Sequence, residues 1–332
     1  MASPGLPLKS YFQFGLEATW ATAATVNRKM TFEEESFEAD AGLAEDPNLP
    51  GNSGFMVTDI TGQVESFSGD LTHVLDYEGH CRWFDLGMGT TAFASYGATV
   101  TGSNPYTHVF VPREFFNSIT GEINKGNIAA TKIQQLLGGK SMGFTIKGTA
   151  GPGEAAYVRM SNKILGQQLV VDQNPTGALT AVSRIPVLMK HGTTIVDGSG
   201  DAAADVRLAD FEFTYENGVV RRDFTGLTYT DEPLRGGLSK VVMKLTREYR
   251  TNTFITAYKA GTYVAPAVTF ADGNGRSIKF ELERARVMKC TANAGAGNGI
   301  MQQEIELQGT FGASSVFGAK VTIVNTQAAA AV

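Results

Sequence analysis

Apolar residues in this chain recur every second position, in short runs, and almost nowhere in long helical ones. Met142, Phe144 and Ile146 alternate with Gly143, Thr145 and Lys147, and Val241, Met243 and Leu245 with Val242, Lys244 and Thr246. Ile305, Leu307 and Phe311 oppose Glu304, Glu306 and Gln308. A period of two puts successive side chains on opposite faces of a strand, so each run builds a half-buried sheet. Strand character also marks Lys29–Phe37, Phe55–Ile60, Tyr106–Val111, Lys163–Val171, Ala181–Met189, Val206–Tyr215 and Ser277–Leu282. Thirty-eight glycines without a collagen-like period supply the turns between runs. Asn217-Gly218 is a hairpin signal. The fold class that follows is all-β with short helices.

Two stretches 172 positions apart match in kind: GDLTHVLDYEGHCRWFDLGMGT at 69–90 and VVMKLTREYRTNTFITAYKAGT at 241–262. Each begins as an alternating strand and turns into a helical stripe. In the first, Phe67, Leu71 and Leu75 share a strand face with His73 between them, and Asp76 stands where a helix N-cap belongs. Tyr77, Cys81, Phe84 and Met88 form one apolar stripe, which Gly87 and Gly89 can end. In the second, Tyr249, Phe254 and Tyr258 supply the packing, Thr251 the cap and Gly261 the stop. The succession strand, long loop, strand, short helix, strand, strand thus occurs twice. A spacing of this length is too long for a solenoid. It predicts two tandem domains related by internal duplication: an N-terminal arm at 1–28, a first β domain at 29–151, a second at 152–312 including bridging strands at 160–200, and a C-terminal arm at 313–332. Gly151-Pro152-Gly153 marks the break.

Between these runs lie turn-rich segments. Glu38 to Asn52, EADAGLAEDPNLPGN, carries two prolines, two glycines and four acids and reads as a long exposed loop. Its counterpart is a Gly/Pro loop at Thr225 to Gly237. Charge is sorted along the chain. Residues 1–111 hold 14 acids and four bases, and the remainder 19 acids and 24 bases. An acidic third beside a basic remainder suits a molecule that docks onto copies of itself. The net charge of −5 argues against a protein that grips nucleic acid through phosphates. No apolar run approaches the roughly 18 to 20 residues of a membrane helix, and MASPGLPLKSYFQFG does not read as a secretory signal.

Catalytic chemistry finds no foothold. His73, His80, His108 and His191 stand at no metal-ligand spacing, and Cys81 and Cys290 read as small buried hydrophobes. QLLGGK at 135–140 lacks phosphate-loop spacing, and no GxSxG is present. In DGNGRSIKFELE at 272–283, Arg276 and Ser277 replace a calcium ligand and the obligatory glycine, so a hairpin turn is expected there. No cofactor, metal or catalytic residue is expected, and the chain is not expected to be an enzyme.

The serial order of several motifs resembles a known family. GLEATWAT at Gly15–Thr22 resembles the G-x-E-x-T-x-G-T opening of tail tube proteins of long-tailed, non-contractile bacteriophages, with Ala21 standing where the pattern often has Gly. The acidic strand Thr31–Phe37, SFSGDLTHVLDYEGHCRWFDLGMGT, ADFEFTYENGV and KVVMKLTREYRTNTFITAYKAGT follow in the family's order, over residues 12 to 312. The resemblance implies tail-tube-type β-barrel or sandwich domains. It also implies a structural virion protein, assembled in the host cytoplasm, that forms stacked rings around a path for ejected double-stranded DNA. Partners on that reading are further copies of the chain and the tape measure, tail terminator and tail-tip proteins. If two barrels share one chain, three chains close a pseudo-hexameric ring; six chains are the other arrangement. The acidic loop is expected to cross between rings, with Glu38, Asp40, Glu45, Asp46 and Asn48 meeting Arg221, Arg222 or Arg235 of a neighbour. The alternative is a head-decoration, tail-tip or adhesion-type binding protein of a virion.

Overall fold

The computed structural model describes residues 10–41, 43–45, 60–62, 64–126, 133–176, 179, 184–196, 207–292, 301–311 and 318–328. In chain order the elements begin with β1 (Tyr11–Leu16), β2 (Arg28–Met30), β3 (Glu34–Glu35), β4 (Glu38–Asp40), β5 (Leu43–Glu45), β6 (Ile60–Gly62) and β7 (Ser66–Val74), then helix α1 (Cys81–Met88). Next come β8 (Thr99–Thr101), β9 (Tyr106–Phe110), β10 (Ser118–Asn124), β11 (Ile133–Thr149), β12 (Arg159–Gly166), β13 (Gln168–Gln173), β14 (Gly192–Val196) and β15 (Leu208–Glu216). The last part holds β16 (Val219–Arg222), β17 (Asp231–Arg235), β18 (Lys240–Glu248), helix α2 (Thr253–Ala260), β19 (Tyr263–Val264), β20 (Ala267–Ala271), β21 (Ser277–Glu281), β22 (Ala285–Ala292), β23 (Gln302–Gly309) and β24 (Lys320–Asn325).

The 17-residue strand β11 organises the rest. Its first half pairs with β10 and its second with β15, on one edge; β13 and β12 line the other. The change of partner falls at a bulge between Ser141 and Gly143. Gly143 has φ of 133°, and a Cβ there would sit 2.1 Å from the Tyr215 carbonyl oxygen, so only glycine lets β15 approach. From β11 an open circuit runs through β12 and β7 to β3–β4 on one side and through β10 and β1 to β2 on the other, with no strand pairing between its two ends among the described residues. A second arm extends through β15, β18, β23 and β22 to β19. Opposite its inner face lies a six-stranded sheet in the order β14-β20-β21-β24-β9-β8.

The period-two residues do what their spacing dictates. Val241, Met243 and Leu245 of β18 are buried with Phe211, Phe213 and Tyr215 of β15, Ile305 and Leu307 of β23, and Phe270, Ile278 and Phe280 of the smaller sheet. Helix α1 lies between the circuit and this sandwich, and all eight of its residues are buried. Trp83 packs on Phe12 and Phe14 of β1, while Phe84 packs on Phe110, Phe144 and Phe280. One helix thus joins the two sides of a single core.

The expected boundaries do not survive this packing. Residues 1–28 were expected as an arm, yet β1 pairs with both β10 and β2 because Phe12 and Phe14 bury a face. Within the expected C-terminal arm, β24 pairs with β21 and β9 because Val321 and Ile323 alternate inward. The line drawn at 151/152 separates β11 from β12, which are hydrogen-bonded neighbours, and one continuous core joins both halves. The element orders of the two stretches are alike but not the same: β7-α1-β8-β9-β10-β11 against β18-α2-β19-β20-β21-β22-β23, which has one strand more. The pairing does not recur: β18 bonds directly to β23, whereas β7 reaches β11 only through β12.

Local expectations shift as well. Helix α1 starts at Cys81 after His80, not at Asp76, whose backbone N–H instead donates to His80 Nδ1. Helix α2 ends at Gly261 as expected, with φ of 64°. The Asp272–Arg276 segment is the turn of the β20–β21 hairpin, with Asp272 Oδ1 accepting from the Asn274 and Arg276 backbone N–H groups.

Candidate assembly surface

The Gly15–Thr22 motif is an internal lock. Glu17 is fully buried and accepts from the Ser118 and Thr120 hydroxyls at 2.6 and 3.0 Å and from the Gly138 and Ala21 N–H groups, both at 2.9 Å. Four donors satisfy a carboxylate that burial would otherwise penalise heavily. Trp20 Nε1 donates to the Gly138 carbonyl, so the segment binds β1 to β10 and β11 through side chains.

Asn217-Gly218 makes a corner rather than a hairpin between the strands it joins. The buried Asn217 amide donates to the Gly87 and Ser141 carbonyls, and its Oδ1 accepts from the Val219 N–H. The chain then leaves the large sheet as the separate hairpin β16–β17, so the expected Thr225–Gly237 loop contains a strand. Polar contacts fasten this hairpin to the body. Lys140 Nζ, buried on β11, donates to Glu232 Oε1 at 2.6 Å. Gln168 Nε2 donates to the Tyr229 hydroxyl, and Glu65 exchanges backbone bonds with Thr228 and Thr230. Outward from it stand Val220, Phe224, Leu227, Leu234 and Leu238, between 42% and 92% exposed. Five exposed large apolar side chains on and beside one short ribbon make it a candidate contact surface. Sequence reading missed it because the segment reads as turns; five large apolar residues within nineteen positions were the available signal.

The charged residues expected to meet across subunits are partly paired within the chain. Arg221 Nη1 donates to Asp40 Oδ2 at 2.6 Å, and its Nε to Asp223; partial burial lowers its pKa, but these two acids outweigh it and leave the pKa raised. Arg222 pairs with Asp231 at 3.4 Å and lies over the Phe224 ring. Arg235 Nε donates to the Gly237 carbonyl. Glu38 and Asp40 form β4 against β7, and Glu45 belongs to the β5–β6 ribbon, so the long loop begins as strand. Asp46 and Asn48 lie outside the described residues. Among the packing residues, Tyr77, Phe84, Met88 and Phe254 are buried and Tyr249 is half-buried, but Tyr258 is 50% exposed. Helix α2 turns only Phe254 and Ala257 inward.

The titratable groups are placed as packing. Burial lowers His73 to about 4 and His80 further below its usual range; their rings meet edge-on at 4.5 Å. His108 bonds Tyr96, Asn325 and the Gln327 carbonyl, and His191 the Tyr77 hydroxyl. Burial pushes the Cys81 thiol up to about 12, which removes it as a nucleophile; Cys290 is only half-buried. Among the described residues no three His, Cys, Asp or Glu side chains gather as a metal set.

The family model described as phage tail tube protein matches residues 7–309. No curated protein matches the chain.

Proposed function

The chain belongs to the phage tail tube protein family, and we propose that, as a structural protein of the virion tail, it associates with copies of itself into stacked rings whose bore passes double-stranded DNA. The observation that carries this reading is the β16–β17 hairpin, whose apolar side chains face outward while polar contacts hold its base. On this reading the hairpin, with the acidic segment from Glu38, reaches the next ring. Asp40 serves by holding Arg221, and so the hairpin, in place. Three chains per ring would give about 106 kDa from 35.4 kDa each and six about 212 kDa, so the mass of an isolated ring decides between them. A net charge of −5 fits a conduit, because DNA carries about one negative charge per 1.7 Å and a basic bore would retain it. Tape measure, terminator and tail-tip proteins would then meet the bore and the ends of the tube.

Negative-stain microscopy tests the reading. Purified protein should form tubes of uniform bore, and Leu227→Ser with Leu238→Ser should give isolated rings with unchanged circular dichroism. Tubes of normal length from that double variant would remove the hairpin from the contact.

A further inference from the structure

Eight strands form one hydrogen-bonded run, β4-β7-β12-β11-β15-β18-β23-β22. Among the described residues, β4 has no strand partner but β7. At the far end β19 covers β22 at Ala285 and Arg286, and among the described residues the edge from Lys289 to Ala292 that faces away from β23 has no strand partner. Beside it, Tyr263 and Met288 are about half exposed.

The two ends differ in sign. On the β3–β4 side, Glu35 and Asp40 are held by Lys125 and Arg221, but Glu34 and Glu38 are exposed and make no ion pair among the described residues. On the β22 side, among the described residues, Arg286 lies over the Tyr263 ring and neither it nor the exposed Lys259 of α2 has a carboxylate partner, while Lys289 reaches Glu304 only at 3.9 Å. Strands are spaced ~4.8 Å apart, so the run is roughly 30 Å across. Salt screens exposed charges beyond about 8 Å, so the ends do not neutralise each other within one chain.

Resting on the tube reading, we infer that rings close head to tail along this run: the acidic β3–β4 end of one copy, through Glu34 and Glu38, docks on the basic β22 end of a second copy, through Arg286, Lys289 and Lys259. A two-fold contact would press like charge on like at either end. A heterologous contact joins unlike ends and closes into a ring when its rotation closes. Exposed sheet edges ordinarily carry charge that repels other edges. Here that charge is sorted by sign, which repels every pairing but one.

Charge reversal tests the seam. E34K/E38K and R286E/K289E should each lower the assembled fraction, by light scattering and negative stain, at least tenfold, leaving monomers rather than the isolated rings expected of the hairpin variant. Combining all four substitutions exchanges the ends and should restore rings. Mixing the two paired variants should restore association between unlike chains, read as mixed complexes because an odd-membered ring cannot close by strict alternation, and this is a second route should the combined chain fail to fold; circular dichroism melting checks each. Wild-type protein that assembles while either reversed variant assembles equally well overturns the seam alone. So does failure of both the folded combined chain and the mixture. Wild-type protein that stays monomeric at every concentration overturns the tube reading and the seam with it.

Discussion

Ala21 shows what one residue costs when the backbone asks for another. Its φ is 56°, in the left-handed region that favours glycine. That conformation costs a non-glycine residue roughly 1–2 kcal/mol, partly offset by the extra freedom glycine gains on unfolding. Ala21→Gly should therefore stabilise by about 0.5–1 kcal/mol, read as a higher denaturant midpoint at unchanged slope; a lower midpoint would contradict the strain. Glu17 makes the opposite point. Glu17→Gln keeps the shape but sets an amide donor among four donors, and should cost about 3 kcal/mol. A loss below about 1 kcal/mol in the same melt would mean that the carboxylate is not the lock.

At the scale of an element, α1 carries more than its eight residues suggest. Phe84 touches both sheets of the sandwich, through Phe144 and Phe280. Phe84→Ala should cost about 3–5 kcal/mol by thermal or denaturant melting, and a loss under about 1 kcal/mol would place the side chain outside the core. Gly87 sits inside the helix, where alanine is ordinarily better by about 1 kcal/mol. A Cβ there would come within 2.5 Å of the Phe144 ring. Gly87→Ala is therefore expected to destabilise by about 1–3 kcal/mol, against helix propensity. Stabilisation would show that α1 has room to shift. In α2 the contrast is Tyr258, whose exposure leaves Tyr258→Ser within about 0.5 kcal/mol of the parent.

For the molecule as a whole, acid is the natural probe. His73 has a folded pKa near 4 against an unfolded value of about 6.5, so the unfolded chain takes up the proton first. Its contribution is complete above pH 6.5 and is lost as pH falls from 6.5 toward 4. At pH 5 the loss should be about 2 kcal/mol relative to pH 7.5. His80, lowered mainly by the same burial, acts in the same sense. Asp76, raised by burial, acts against them, since its folded form holds a proton that the unfolded form releases. Melting at pH 7.5 and 5.0 should show a fall in wild type that His73→Asn reduces. An equal fall in both would assign the acid response elsewhere.

Alternation alone placed the strand faces of β11, β15, β18 and β23, because a period of two follows from backbone geometry and needs no partner. The Gly261 stop was legible too, as a local event, whereas the Tyr77–Met88 stripe was legible only in part, since α1 begins at Cys81 and is buried on every side. Alternation did not tell which strands pair. Pairing is decided by residues far apart in the chain, such as Gly143 making room for Tyr215, or Phe12 and Val321 completing cores built by other segments. That is why two similar half-chains were legible as two domains and folded as one. The candidate surface divided the same way. Charge sorting between the first third and the remainder is readable from composition. That Asp40 meets Arg221 of its own chain, while Glu34 and Glu38 keep their charge at one end of a sheet, depends on how a hairpin lies across the body. Only the folded chain brings residues 181 positions apart within 2.6 Å.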